Sequence, residues 1–525
     1  MSGRKATLKN KKKVMGEISE RHHEYFRLQS LTILKHPVLG SIHLNFCQGE
    51  TDPFALYTSV IIGANGIGKS YLLRSLAEIF CCLESLYNGK EPAVPQYYFD
   101  LKYSSRWENM EFANFRDINV VERGRSKYTQ FVYRKNGEEA RVGSMELPKR
   151  VIASSTTIAD KYVAKSTEMY HYKGLRNENS PSTTGTRTMV RKTVESLLGS
   201  LDMKYGFRQE LKDLLEHIGL QPKLELSYSM RYKDVFVTDD ISVGKLHHIF
   251  EHQGNYFNNR TSEVWGTRNF NKIREEENWK LDEVAGFLQR LYHRGFDDRR
   301  NHLVYDLLSE NDNRVSEDRE ALKVLSKLDL LSYPSLKVFK HNTNYEFDQS
   351  SSGESSLLCQ MVSIMSDIEP NSLVLIDEPE TSSHPNWQIN YIGWLKNIFE
   401  RYYNCHFVIS THSHFLLTDM EPYSSDIVAL DKNDEGIVRD VSEGVNTFNW
   451  SVDDILYEVF RIRNKKNEAL ERDLERAIQL MEEKGPVSQA EIDELLRRFN
   501  NVYRGDRDPL GKFITELEEY AKYRS

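Results

Sequence analysis

Cysteine is scarce and scattered. Five cysteines, Cys47, Cys81, Cys82, Cys359 and Cys405, occur in 525 residues. None forms a Cys-x-x-Cys pair, and the odd count argues against a disulfide framework, so a reducing cytosol is the expected setting. Long apolar runs are missing too. None approaches the roughly 18 residues that a membrane-crossing helix needs, so no membrane is expected. The basic opening MSGRKATLKNKKK has no apolar stretch behind it and does not read as a secretory signal. It reads as a solvated, flexible tail over 1–25. Positive charge is not in excess: the formal net charge is -8. That excludes a global basic field for nucleic acid and leaves only local patches. Neither a His-Asn-His cluster nor a paired metal-ligand spacing occurs, and there is no internal repeat.

What is present is a strand-rich pattern on both sides of a helical one. Residues 26–46 alternate, with β-branched and aromatic residues, and predict antiparallel strands ahead of a strand at 56–62. Helical spacing follows at 70–87, a hairpin around Asn136-Gly137, and a short buried strand at 149–155. From about 165 to 330 the periodicity turns helical. Strands resume at 336–347, 372–380, 405–413 and 426–431. Continuous apolar runs such as LVLID suit a parallel sheet buried on both faces. The expected fold is therefore α/β: a nucleotide-binding domain split into 26–160 and 334–445 by a mainly helical insertion at 161–333. A charged helical region at 446–525 completes the chain.

The stretch VIIGANGIGKS fits a phosphate-binding loop between a strand and a helix. Gly63, Asn65, Gly66 and Gly68 would let backbone N–H groups wrap phosphates of ATP. Lys69 would reach the β- and γ-phosphates, and the Ser70 hydroxyl would ligate Mg²⁺. LVLIDEPE ends a buried strand on two carboxylates, which is costly unless they act. Asp377 fits the Mg²⁺-side acid and Glu378 the base that polarises water. VISTHSHF ends a further strand on His412, which could sense the γ-phosphate; His414 is the lesser candidate.

SSSGESSLL at 350–358, followed by LVLIDEPETSSHP and VISTHSHF, resembles the ABC/SMC-type ATPase heads, in particular the OLD-related and SMC-like ATPases of prokaryotic defence systems. The resemblance implies a signature made of Ser351, Ser352, Gly353 and Glu354 that acts in trans on a nucleotide held by a second head. It further implies that His412 is the switch histidine and 380–385 the D-loop, where Ser383 replaces the usual leucine. The family's metal-contacting glutamine has two candidates, Gln96 and Gln130. YHYKGLR at 170–176 and FNWSVDDILYEVF at 448–460 are similar to the PtuA-type ATPase subunits of Septu and retron-associated anti-phage systems. That likeness implies a separate nuclease partner of the HNH type, alongside a homodimer of heads.

Two other functions stay open. One is a self-contained OLD-like nuclease, for which Glu443 and Asp506-Arg507-Asp508 are the acids on offer. An acidic solvated turn is the better reading of that group. The other is an ATP-binding scaffold with negligible turnover. The basic, aromatic stretch 289–302 is a possible nucleic-acid contact, though a solvated helix end suits it better.

Overall fold

Alternation at the start of the chain produces an antiparallel pair, β1 (Phe26–His36) and β2 (Gly40–Asn45), with Leu31, Ile33, Ile42 and Leu44 inward. In this computed structural model the described residues are 25–47, 52, 55–117, 121, 130–157, 159–176, 186–201, 204–252, 263–294, 302–309, 312–341, 343–432, 438–440, 468–482, 489–502 and 510–524. The expected tail up to residue 24 and the segment 448–460 lie outside them, as do Glu443, Asp506–Asp508 and most of the basic stretch after Arg294.

Next come β3 (Tyr57–Gly63) and helix α1 (Lys69–Tyr87). Strands β4 (Tyr98–Ser105), β5 (Glu108–Ala113), β6 (Val132–Lys135) and β7 (Glu138–Glu139) extend β2 and β1 into a six-stranded antiparallel sheet, order β2-β1-β4-β5-β6-β7. The β6–β7 turn is Asn136-Gly137, both at positive φ, as a two-residue hairpin requires.

The second sheet draws on both strand-rich halves. After β8 (Val151–Ser155) and β9 (Tyr170–Lys173) the chain enters the insertion, with α2 (Thr186–Ser200), α3 (Phe207–His217), β10 (Leu224–Ser229), α4 (Val243–Glu251), α5 (Glu263–Glu276), α6 (Trp279–Arg294), β11 (His302–Asp306) and α7 (Arg314–Lys327). It returns through β12 (Ser335–Lys340), β13 (Thr343–Glu346), α8 (Ser352–Asp367), β14 (Leu373–Asp377), α9 (Pro385–Ile398), β15 (His406–Ser410), β16 (Ser425–Lys432) and β17 (Val438–Asp440). The seven-stranded order is β17-β16-β3-β15-β14-β8-β9, parallel except for β17. Its central strands are buried throughout, which accounts for their unbroken apolar runs.

The insertion differs from expectation in one respect. It is mainly helical, but β9 joins the parallel sheet, and β10 and β11 form a four-stranded antiparallel sheet with β12 and β13, order β11-β10-β12-β13. The stretch read as one strand at 336–347 is the β12–β13 hairpin, so the expected junction at 333/334 falls inside this sheet. LELSYS alternates buried and half-buried residues over only six positions, a short signal beside the long helices around it. Helix α2 packs along α8. At the far end of α8, Lys204 Nζ donates to the Met365 and Ile368 carbonyls, each at 2.6 Å. This satisfies acceptors that a helix C-terminus leaves open.

A buried polar chain ties the antiparallel sheet to the parallel one. The Leu28 N–H donates to His406 Nδ1 at 3.0 Å, so Nε2 carries the ring proton and faces Ser59 Oγ at 2.8 Å. Ser59 in turn donates to Asp426, whose carboxyl burial pushes up to about 7. The trio is sealed in the core with the serine in the middle, so it ties strands together and offers no nucleophile.

The chain divides into two units, Met1–Val452 and Asp453–Ser525. The second contains α10 (Glu468–Glu482), α11 (Gln489–Val502) and α12 (Leu510–Arg524), with a core of its own around Leu480, Phe499 and Leu517. Arg476 pairs with Glu491 at 2.7 Å across α10 and α11. Among the described residues no helix is long and apolar enough to cross a membrane.

Candidate functional site

The phosphate loop leaves β3 at Gly63, whose φ is +154°. A Cβ there would stand 2.7 Å from the Leu430 carbonyl oxygen, so no larger residue fits. Ile67 is buried and pins the loop, while Asn65 and Gly66 are exposed on its rim. Gly68 caps α1, and no side-chain hydrogen bond caps the helix start and no acid sits in its first turn. A 19-residue helix thus presents its positive end and its free N–H groups at the loop, the arrangement that receives a phosphate.

Lys69 Nζ donates to the Gly63 carbonyl at 2.7 Å and to His412 Nδ1 at 2.9 Å. Burial pushes its ammonium down to about 8. Because Nδ1 accepts from the lysine, His412 is the neutral tautomer with hydrogen on Nε2. That hydrogen is donated to Glu378 Oε1 at 2.8 Å, and this bond holds the Glu378 carboxyl below its ordinary range. Lys69, His412 and Glu378 therefore form one continuous chain.

Glu378 has φ +48°, a conformation seldom adopted outside glycine and costly enough to mark a functional turn. Its N–H is held by the Ser410 carbonyl at 3.0 Å. Asp377 ends β14, level with Ser410 on one side and Ser155 on the other. Its Oδ1 accepts from Ser70 Oγ at 3.0 Å and from Ser410 Oγ. Burial nonetheless pushes Asp377 up to about 6. Ser70 and Asp377 are hard oxygen donors that already meet, and they fit Mg²⁺, which takes one or two protein oxygens and completes its shell with water and phosphate. Among the described residues no group of three or more His, Cys, Asp or Glu could hold a metal by itself.

The structure also brings in residues that sequence reasoning passed over. Glu380 Oε1 accepts the His412 N–H at 2.6 Å and so sets the backbone that aims the histidine. Gln388 uses both ends of its amide: Oε1 accepts from Ser413 Oγ at 2.6 Å and Nε2 donates to the Ser383 carbonyl at 2.8 Å. It joins the loop after β14 to the loop after β15. The second acid of the Asp-Glu-Pro-Glu run was the available signal for Glu380; nothing in the sequence marked Gln388. His414 opens a short turn with its ring against Phe415, apart from the Lys69–Glu378 chain.

Ser351 is exposed and caps α8, its hydroxyl accepting from the Glu354 N–H at 3.3 Å. Glu354 completes the capping box and is anchored by Lys340 at 2.6 Å and by Tyr345 at 3.2 Å. Ser352 is the first, exposed helical residue. Gly353 lies against the 380–385 loop, where a Cβ would stand 2.9 Å from the Ser382 carbonyl oxygen. The start of α8 and the 380–385 loop are thus packed together.

Neither candidate glutamine follows β8, the strand beside β14. Gln96 precedes β4 and Gln130 precedes β6, both at strands of the antiparallel sheet. The loop after β8 instead carries Thr156, Asp160 and Tyr162. YHYKGLR is the edge strand β9 and its exit. Tyr172 and Arg176 hold Asp160 at 2.7 and 2.6 Å, and Lys173 pairs with Asp367 at 2.9 Å.

Strand order, phosphate loop and carboxylate strand together define an α/β fold of the P-loop type, split in sequence by its insertion. A family described as "AAA domain, putative AbiEii toxin, Type IV TA system" matches residues 177–418, under half of the chain. That match includes the signature, Asp377–Glu378 and His412 but not the phosphate loop. Among curated proteins none matches. Among solved structures, the chain is similar to the SMC head domain from Thermotoga maritima, at 10% identity and a TM-score of 0.36, over 80% of this chain and 100% of that one. An Smc head from Pyrococcus furiosus, bound to the C-terminal domain of ScpA, matches at 10% and 0.30, over 79% and 96%. An Smc head with a coiled coil and joint from Pyrococcus yayanosii matches at 11% and 0.32, over 83% and 99%. TM-scores this low carry no argument, and the assignment of the head rests on the topology and the loop.

A lysine must be charged to hold a phosphate. With the free ammonium near 8, ATP affinity should decline as pH rises through that value. Lys69→Ala should bind roughly 10–100-fold more weakly, the loss of a charge-assisted bond, and should lack that decline. Calorimetric titration between pH 7 and 9 checks both; a wild-type affinity flat across the range would remove Lys69 from the phosphates.

Proposed function

We propose that this protein is an Mg²⁺-dependent ATPase whose heads pair around ATP and control a separate nuclease in anti-phage defence. The observation that carries the ATPase reading is the Lys69–His412–Glu378 chain beside the Ser70–Asp377 pair. A phosphate-binding cation, a γ-phosphate sensor and a water-polarising carboxylate are connected before any ligand arrives. Backbone N–H groups from Asn65 to Ser70 receive the phosphates, with Lys69 leaving His412 for them. His412, whose one N–H donor is Nε2, then swings that hydrogen from Glu378 to the γ-phosphate and frees the carboxylate. Glu378 orients water for attack and takes up its proton. Ser70 and Asp377 would hold Mg²⁺, which would neutralise charge on the phosphates.

The exposed Ser351 supports pairing. A phosphate loop covers only part of the transferred phosphoryl group, and a hydroxyl at a helix N-terminus supplied by a second head would cover more. In a two-fold pair each signature meets the other's loop, so ATP closes the pair and its loss opens it. The nuclease partner rests on the likeness to Septu-type ATPases, with an HNH enzyme as the expected chemistry. The family description naming a toxin–antitoxin system is in keeping with control over a harmful activity. The apolar face of α10 is covered by α11 and α12 within its own unit, so the partner contact is left to other surfaces of the chain.

Glu378→Gln should bind ATP with little change yet release phosphate at least about 100-fold more slowly, since an amide holds water without accepting its proton. Turnover at the wild-type rate would remove Glu378 from that role. Ser351→Arg should keep ATP binding and abolish ATP-dependent dimerisation in light scattering. Mixed with Lys69→Ala, it should recover activity through one complete composite site. If Ser351→Arg lost nucleotide affinity as badly as Lys69→Ala, the signature would act in cis. Expression with the neighbouring genes should co-purify a nuclease; a lone chain that cuts DNA or RNA unaided would overturn the regulatory reading.

A further inference from the structure

One carboxylate sets the serine that would face a second head. Glu354 grips Ser351 from both sides: its N–H donates to Ser351 Oγ at 3.3 Å, and its Oε2 accepts from the Ser351 N–H at 3.4 Å. With its oxygen used as an acceptor, the Ser351 hydroxyl keeps its hydrogen for an outside group. The carboxylate itself is held from the β12–β13 hairpin. Lys340, at the end of β12, donates to Oε1 at 2.6 Å, and Tyr345, in β13, donates to Oε2 at 3.2 Å. Glu354 is the more buried side chain of the ion pair. Burial opposes its ionisation, yet the bonds from Lys340 and the Ser351 N–H outweigh burial and hold the carboxyl below its ordinary range. Glu354 is therefore a full negative charge, placed about one helical turn from the serine.

A negative charge there works against the serine's proposed task. The hydroxyl must approach the γ-phosphate of a nucleotide held by the partner head, and like charges facing each other across an interface are costly. The capping box does not demand the charge, because glutamine completes it as glutamate does. The charge therefore needs an offset. Among the described residues, Lys340 is the cation paired with Glu354. Resting on the reading that Ser351 acts on a second head's nucleotide, we propose that Lys340 is a positioning residue of the composite site: it cancels the charge of Glu354 and keeps the capping box aimed at an incoming phosphate. Tyr345 contributes a hydrogen bond and no charge, so it fixes geometry alone. Strand β12 pairs with β10 of the insertion. The cation that lets this helix start meet an anion is thus carried by the sheet that insertion and head share.

The test uses the full chain with Mg²⁺ and β,γ-imido-ATP as probe, and reads pairing by sedimentation equilibrium. Lys340→Met keeps most of the stem and removes the charge. Its dimer dissociation constant should rise roughly tenfold or more, since a like charge is left uncompensated at an interface. Nucleotide affinity of a single head, measured in the Ser351→Arg background where heads stay apart, should not change. Adding Glu354→Gln to Lys340→Met should recover most of the lost pairing, because the amide keeps the capping box without the charge. A double variant as weak as Lys340→Met would make Lys340 a mere brace and overturn the inference. Pairing of Lys340→Met at the wild-type constant would overturn it as well, as would an equal loss of nucleotide affinity in the Ser351→Arg background. A wild type that bound the nucleotide yet stayed monomeric would instead bring down the pairing reading, and this inference with it.

Discussion

Everything at the site depends on the parallel register of four strand ends. Ser155, Asp377, Ser410 and Ile61 lie level across β8, β14, β15 and β3. From that line the chain turns upward into the phosphate loop, the acidic turn, the histidine loop and the tyrosine loop. Side chains alternate faces along a strand, so a slip of one residue in β14 would turn Asp377 away from Ser70. The apolar interiors of these strands hold the register, because any slip would carry polar ends into the core. The buried Ser59–His406–Asp426 chain adds a polar lock between sheets, where apolar packing alone would tolerate several arrangements.

In the free protein the site is closed upon itself. Lys69 is satisfied by a carbonyl and an imidazole, Glu378 by the same imidazole, and Asp377 by two hydroxyls. Each polar group thereby avoids the cost of standing unpaired in a half-buried cleft. Ligand binding exchanges these bonds for bonds to phosphate, so the gain is a difference between two satisfied states. His412 is shared by the cation and the base, so nothing can engage Lys69 without also releasing one side of the ring that holds Glu378. The contacts of Lys69 and of Glu378 are linked through one side chain.

Much of this was legible in the residues. The glycine loop, the two acids after LVLID and the histidine after VIS each sit at the end of an apolar run, and such runs end where strands end. Local patterns identify those positions because their chemistry is local. Glu380 and Gln388 escaped because their contacts join loops far apart in sequence. The sheet shared by insertion and head was missed because β10 and β11 are short and set among strong helical periodicities.

The grip of the insertion on α8 has a mechanical consequence. Helix α2 packs along α8 and Lys204 clasps its C-terminal carbonyls, while the opposite end of the same helix presents Ser351. A helix of 16 residues spans about 24 Å and is stiff along its length. The insertion is therefore a handle fixed to one end of a rod whose other end carries the signature. A load on the insertion would tilt the rod, and a tilt of about 5° swings its far tip by about 2 Å. That displacement separates a hydrogen bond from none. The insertion can thus act as a torque arm on the end of α8 that carries Ser351.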